Sequence, residues 1–333
     1  RARWTMSGVE QRKVDRDESG MRLDRWFKVH FPGLGFGKLQ KLLRSGQIRV
    51  DGGRAKHDTR IQPGQIIRVP PLGSDEKNPN PTGSESIPRG GGADGELLSK
   101  MLLYEDPKVF VFNKPAGLAV QGGSGLNRHV DQMLEAWRSR KGEKPRLVHR
   151  LDRETSGVLV VARTRGAAQA LTAAFRHRDT EKTYWALVKG VPPQREGRIS
   201  TWLVKDHTPD GDRMRVCKHG EPDSDHAISH YRIIEQAGRN LSWLEMQPYT
   251  GRTHQLRVHA AHIGCPIIGD PKYFEADQNW EFPGGIQKRL HLHARRISIP
   301  HPDGRGRLVV TAPLPPHMVQ SWNLIGFDKE IDE

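Results

Sequence analysis

Residues 70–96 read PPLGSDEKNPNPTGSESIPRGGGADGE, a run of Pro, Gly, Ser and Asn in which no apolar periodicity survives. Such a segment buries too little apolar surface to offset the entropy of ordering it, and it predicts a flexible linker over residues 71–96. A linker there forbids one continuous core. The 333 residues must fold as a small module, residues 21–70, and a larger one, residues 97–326. Residues 1–20 are charged and without pattern, and are expected to be a disordered tail.

In the small module Leu23, Trp26 and Phe27 lie at i, i+3, i+4 and predict a short amphipathic helix. Pro32-Gly33 ends it, and Leu39, Leu42 and Leu43 repeat the spacing on a second helix. Gln47–Val50 reads as a strand, Asp51-Gly52 as a hairpin turn and Ile66–Val69 as a closing strand. Arg22, Arg25, Lys38, Lys41 and Arg44 fall on the outer faces.

In the large module Val109–Phe112 reads as a strand, and Val130, Met133, Leu134 and Trp137 mark a helix. Val158–Ala162 is apolar and β-branched enough for a buried strand. A helix over Ala167, Leu171, Ala174 and Phe175 follows, then a strand at Lys182–Val188. Further strands are expected at Ser229–Ile234, Leu241–Gln247, His291–Ile299 and Leu308–Thr311. Strands succeed one another with few helices between them, so the fold class is α+β with a mixed or antiparallel sheet flanked by helices. The polar segment Lys205–Asp225 reads as a surface hairpin or loop. The one GxGxxG match, Gly90-Gly-Gly-Ala-Asp-Gly95, falls in the linker with no strand before it, and no GxxxxGK[ST] string occurs, so a nucleotide cofactor lacks its main support.

One string stands out chemically. Arg146-Leu-Val-His-Arg-Leu-Asp-Arg-Glu-Thr-Ser-Gly157 sets Asp152 among three arginines, at the lip of the Val158–Ala162 strand. Neighbouring positive charge favours the ionised carboxylate, which can act as a nucleophile but is a poor general acid. The same residues also suit a turn cap or an arginine pair.

The formal net charge is +14, and basic residues are spread along the whole chain. A positive folded surface predicts a polyanionic partner, RNA or DNA first. Apolar runs reach only five or six residues against the roughly 20 that span a bilayer, so no membrane role is expected. The two cysteines, Cys217 and Cys265, make no CxxC pair, which fits a reducing, cytoplasmic setting. His254, His259 and His262 come nearest to a metal cluster, but they lack the i, i+4 pair and the adjacent Glu of a zinc helix, and no metal is expected.

The motifs resemble known families. Arg22-Leu-Asp-Arg25, Leu39-Gln-Lys-Leu-Leu-Arg44, Gly46 and Val50-Asp-Gly52 make the small module similar to the S4 RNA-binding domain. That resemblance implies that Arg22, Arg25, Lys38, Lys41 and Arg44 bind RNA. His149-Arg-Leu-Asp-Arg-Glu-Thr-Ser-Gly157 resembles the catalytic signature of the RluA-type pseudouridine synthases. Asn113-Lys-Pro-Ala-Gly-Leu118 looks like their lead-in turn, and Glu181-Lys-Thr-Tyr-Trp-Ala-Leu-Val-Lys-Gly190 their second motif. Gly251-Arg-Thr-His-Gln-Leu-Arg-Val-His259 and Gly269-Asp-Pro-Lys-Tyr273 look like their third.

The order of S4-like module, linker and catalytic domain is closest to the RluC-like enzymes of large-subunit ribosomal RNA. The resemblance implies an isomerase that breaks the N1–C1′ bond of a uridine, turns the uracil and joins C5 to C1′, with no cofactor. Asp152 would be the nucleophile, at C6 of the base or C1′ of the ribose. Tyr184 would stack on uracil and relay the C5 proton, and Arg257 would hold Asp152 in a bidentate pair. Arg150 would fill the gap left by the flipped uridine, or bind a phosphate. The implied partner of the monomer is 23S-type ribosomal RNA or its assembly intermediate. Transfer RNA, or a non-catalytic role in RNA binding or ribosome assembly, are the alternatives.

Overall fold

The computed structural model describes residues 9–15, 18–31, 34–71, 92–123, 128–208, 211–275 and 283–330. Two compact units divide at Gly83/Ser84, inside the expected linker. Pro32-Gly33 and most of that linker lie outside the described residues.

The first unit holds β1 (Glu10–Lys13), α1 (Leu23–His30), α2 (Phe36–Arg44), β2 (Arg49–Val50), β3 (Gly53–Arg54) and β4 (Ile66–Val69). Its sheet runs in the order β1-β4-β2-β3. Leu23, Trp26 and Phe27 of α1 meet Leu39 and Leu43 of α2 over Ile48, Ile61, Ile67 and Val69 in one core. Asp51 and Gly52 both take positive φ, as a tight hairpin turn between β2 and β3 requires. The expected disordered tail is corrected here: Glu10–Lys13 pairs antiparallel with β4, from Glu10↔Val69 to Lys13↔Ile66. Four charged or polar residues on a sheet edge give no apolar alternation to read, and only the buried Val14 behind them anchors the strand. Residues 1–8 lie outside the described residues.

The second unit begins with α3 (Ala93–Met101), four residues before the expected start at residue 97, because Leu98 and Met101 pack into the core. The elements that follow are β5 (Leu102–Glu105), β6 (Val109–Lys114), α4 (Val130–Met133) with a 3₁₀ turn at Leu134–Trp137, β7 (Arg146–Leu147), β8 (Ser156–Ala162), α5 (Arg165–Arg176) and β9 (Glu181–Lys189). Then come β10 (Glu196–Thr208), β11 (Gly211–Cys217), β12 (Asp225–Ala237), β13 (Leu241–Pro248), α6 (Gln255–His262), β14 (Leu292–Pro300), β15 (Arg307–Thr311) and α7 (Pro316–Ile325). Lys205–Asp225 is thus largely a β10–β11 hairpin leading into β12.

Eleven strands form one mixed sheet, ordered β11-β10-β12-β13-β9-β14-β8-β6-β5, with β15 on β14 and β7 on β8. Only the β14–β8 pairing is parallel among the strand pairs described (His293↔Ser156, Ala294↔Gly157). The period of two sorts the core into layers. Phe110, Phe112, Leu159 and Val161 face α3 and α4, and Ala186, Val188 and Leu244 face α6. On the opposite face Val109, Val158 and Val160 meet α5, while Trp185, Leu187 and Trp243 meet α7. No helix among the described residues is long and apolar enough to cross a membrane.

Candidate active site

The loop bearing Asp152 is pinned at both ends. Arg146 and Leu147 pair with Ala162 and Val161 at the far end of β8, so residues 148–155 must return along the sheet to enter β8 at Ser156. His149 fixes that return: its Nε2 accepts the Val160 N–H at 2.8 Å and its ring stacks on Phe175 at 4.5 Å. Burial, and secondarily Lys182, pulls its pKa down to about 3, so the ring is neutral and free to accept. At the loop tip, the fully buried Lys114 donates to the carbonyl oxygens of Pro115 (2.9 Å), Leu118 (2.7 Å) and Arg153 (3.0 Å). Three acceptors satisfy the three N–H groups of an ammonium, although burial lowers its pKa to about 7. Gly157 closes the loop at φ +112°, and a Cβ there would sit 2.2 Å from the Ala294 carbonyl oxygen of β14.

Asp152 opens into a cleft of ≈ 630 Å³ lined by the 148–155 loop, the end of α5, β9 and the segment Pro248–Arg257. That volume is within the roughly 300–1,000 Å³ typical of pockets for small ligands. Arg257 Nη1 lies 3.5 Å and His254 Nε2 3.9 Å from Asp152 Oδ2. Tyr184, on β9, lines the same cleft. Burial, then the charge of Asp152, raises its phenol above the ordinary value, so the hydroxyl is neutral at pH 7.

Arg257 does not hold Asp152 in the expected bidentate pair. Its two-pronged partner is Asp270, with Nε–Oδ2 at 2.8 Å and Nη2–Oδ1 at 2.7 Å. Asp270 is buried and also accepts the backbone N–H groups of Lys272 and Tyr273. The remaining Nη1 alone reaches Asp152. Burial disfavours the charge of Arg257, but Asp270 and then Asp152 outweigh it and the pKa is raised. The arginine is therefore an oriented cation whose direction is set from behind by a second carboxylate. The arginine lies in the interior, since Gln255 to Ala260 are all buried.

Spacing along the sequence gave no sign of Asp270, since its partner lies across a turn. The available signal was the place of Asp270 in the Gly269-Asp-Pro-Lys-Tyr273 motif. His254 was missed in the same way: it takes the left-handed φ of +51° at the start of α6, and its Nδ1 meets the Tyr273 hydroxyl at 2.8 Å. Of the other two histidines considered as ligands, His259 is buried between Thr201 and Ser229 and His262 is exposed. Among the described residues no group of three His, Cys, Asp or Glu is placed to hold a metal ion.

Arg150 is exposed on the lip of the cleft. In the first unit Arg25, Lys41 and Arg44 are exposed and Lys38 is half-buried. Arg22 is exposed but engaged with Asp24, Nη2–Oδ2 2.6 Å.

Residues 108–262 match the family model described as RNA pseudouridylate synthase. The chain belongs to that family. It is 34% identical to the RNA pseudouridine synthase 4, mitochondrial, of Arabidopsis thaliana, across 96% of this chain and 82% of that one. It is 36% identical to the ribosomal large subunit pseudouridine synthase C of Haemophilus influenzae, across 89% of this chain and 88% of the other. Human RNA pseudouridylate synthase domain containing 4 superposes with a TM-score of 0.58 at 29% identity, over 69% of this chain and 95% of that one. As a member of the RNA pseudouridylate synthase family the chain is an isomerase that converts uridine to pseudouridine in RNA.

Proposed function

We propose that this synthase acts on large-subunit ribosomal RNA, with Asp152 as its nucleophile. The observation that carries the reading is the convergence of Asp152, Tyr184 and Arg257, distant in sequence, on one cleft of nucleoside size. The relative from Haemophilus influenzae, named for the ribosomal large subunit, aligns with 89% of the chain. That alignment supports ribosomal RNA over transfer RNA as substrate.

The geometry suits the reaction. Asp152 attacks the flipped uridine, the N1–C1′ bond breaks, the uracil turns, C5 bonds to C1′, the bond to Asp152 breaks to return the free carboxylate, the C5 proton leaves and N1 regains a proton. No departing group needs an acid, so one oriented carboxylate suffices. Arg257 fixes one Asp152 oxygen and leaves the other open. Tyr184 offers its ring to the uracil. Its neutral hydroxyl can pass on the C5 proton only by giving up its own in the same step. Arg150 stands at the lip, where it can occupy the space the uridine vacates. The first unit acts as an S4-like RNA-binding module through Arg25, Lys41 and Arg44, with Arg22 and Lys38 beside them, and the chain between β4 and α3 acts as its tether.

Pseudouridines mapped site by site in ribosomal and transfer RNA, with the gene present and deleted, test this reading. Loss of specific large-subunit sites is expected. Loss confined to transfer RNA, or no loss in either pool, would sink the substrate assignment.

A further inference from the structure

At the rim of the cleft, Tyr249 is 52% exposed, although large aromatic side chains are normally covered. It follows the last residue of β13. The Arg178 guanidinium stands over its ring, 5.0 Å from the centroid, within range for a cation–π contact. Arg178 comes from the other side of the cleft, just after α5, and both residues line the same cavity as Asp152.

The backbone at Arg178 is unusual. The Asp179 N–H bonds the Ala174 carbonyl at 3.0 Å and the Arg178 N–H the Phe175 carbonyl at 3.4 Å. These two bonds make a Schellman cap, whose left-handed position is usually glycine. Here Arg178 takes φ +59°. A side chain is kept where the turn alone favours none. That side chain packs on the exposed tyrosine, so two elements from opposite walls build one flat, cationic, aromatic shelf.

We propose that the Tyr249–Arg178 shelf is a base-stacking subsite, which takes the nucleobase next to the target uridine in the same RNA strand. This rests on the RNA pseudouridine synthase reading above. A nucleobase has the π-face that a half-open tyrosine lacks as partner, and its phosphate lies within reach of the guanidinium. A target flipped into the cleft leaves its neighbour unstacked, and the shelf restores the lost contact. Discrimination then falls on the flanking residue, through stacking strength and without base-edge hydrogen bonds.

Base–aromatic stacking is worth roughly five- to hundred-fold in affinity. Tritium release is measured on a synthetic RNA spanning a uridine mapped as above. Tyr249→Ala is expected to raise KM ten-fold or more with the smaller effect on kcat, and Tyr249→Phe, which keeps the ring, to restore the low KM. Removing the flanking base to leave an abasic ribose raises the wild-type KM to the same level, and Tyr249→Ala then adds no further loss. Arg178→Gly relieves the turn, so its melting temperature stays at or above wild type while KM rises.

An unchanged KM in Tyr249→Ala, or losses that multiply fully with the abasic change, overturns the subsite and leaves the synthase reading standing. Arg178→Gly at wild-type KM overturns the arginine's share. No tritium release by the unaltered enzyme from any RNA overturns both.

Discussion

Replacing Asp270 by Asn keeps the volume and removes the charge that orients Arg257. The Asp270 side chain is 0% exposed and that of Arg257 6%, so water cannot replace the lost partner. Removing one member of a buried ion pair costs about 3–5 kcal/mol, because the other charge stays buried and uncompensated. The Asn amide oxygen still accepts one hydrogen bond, which places the expected loss near the lower end, about 3 kcal/mol. In a domain of 150–250 residues that is a drop in melting temperature of roughly 6–12 °C. Activity should fall further than stability: a displacement near 1 Å of a positioning group costs on the order of 100-fold.

Two assays read these separately, thermal unfolding by circular dichroism and tritium release from [5-³H]uridine-labelled RNA below the melting transition. The paired variant Arg257→Met/Asp270→Leu fills the same space without charge and should recover most of the lost stability with no recovery of activity. A melting temperature of Asp270→Asn within about 2 °C of wild type would refute the buried-pair reasoning. So would full activity in the paired variant.

Gly157→Ala would drive a Cβ into the Ala294 carbonyl at 2.2 Å and hold alanine at φ +112°. Insoluble protein, or a loss beyond about 4 kcal/mol in denaturant unfolding, is expected. Gly166→Ala, at a helical position with nothing within 4 Å, should melt at or above wild type. His301 bridges Asp106 (2.6 Å) and Asp303; burial lowers its pKa, but the two carboxylates outweigh burial and raise it. A histidine raised in the folded state stabilises fully below its ordinary value near 6.5, and loses that contribution as pH climbs through the folded value. The stability gap between wild type and His301→Gln should therefore be wide at acid pH and close at alkaline pH. A gap that widens with pH in thermal melts contradicts the bridge.

Much of the framework was legible because apolar spacing reports burial directly. Leu23/Trp26/Phe27 and Leu39/Leu42/Leu43 gave both helices of the first unit, and the continuous Val158–Ala162 run gave a strand buried on both faces. β1 was not legible, since its charged residues pair through backbone groups alone. β10 escaped because its apolar residues, Ile199 and the short run Trp202–Val204, fall on both faces between charged and polar ends and give no clean alternation. α7 lacks a clean polar face, with Met318 and Trp322 buried among residues of mixed character.

In the site, Asp152, Tyr184 and Arg257 could be named from motifs, and they converge on one cleft. The partner of Arg257 could not, because a bidentate pair across a turn has no signature in spacing. The same holds for Lys114, an ammonium at the end of an apolar strand whose three carbonyl acceptors become visible only once the loop is folded.

The central claim is that Asp152 attacks the uridine while its neighbours orient it. Asp152→Asn keeps the shape of the loop and the contact reach of Arg257, so the most direct measurement pairs tritium release with RNA affinity in that one variant. The account predicts no release above background and a dissociation constant within a few-fold of wild type. Turnover retained by Asp152→Asn, with RNA bound as tightly as before, would contradict it.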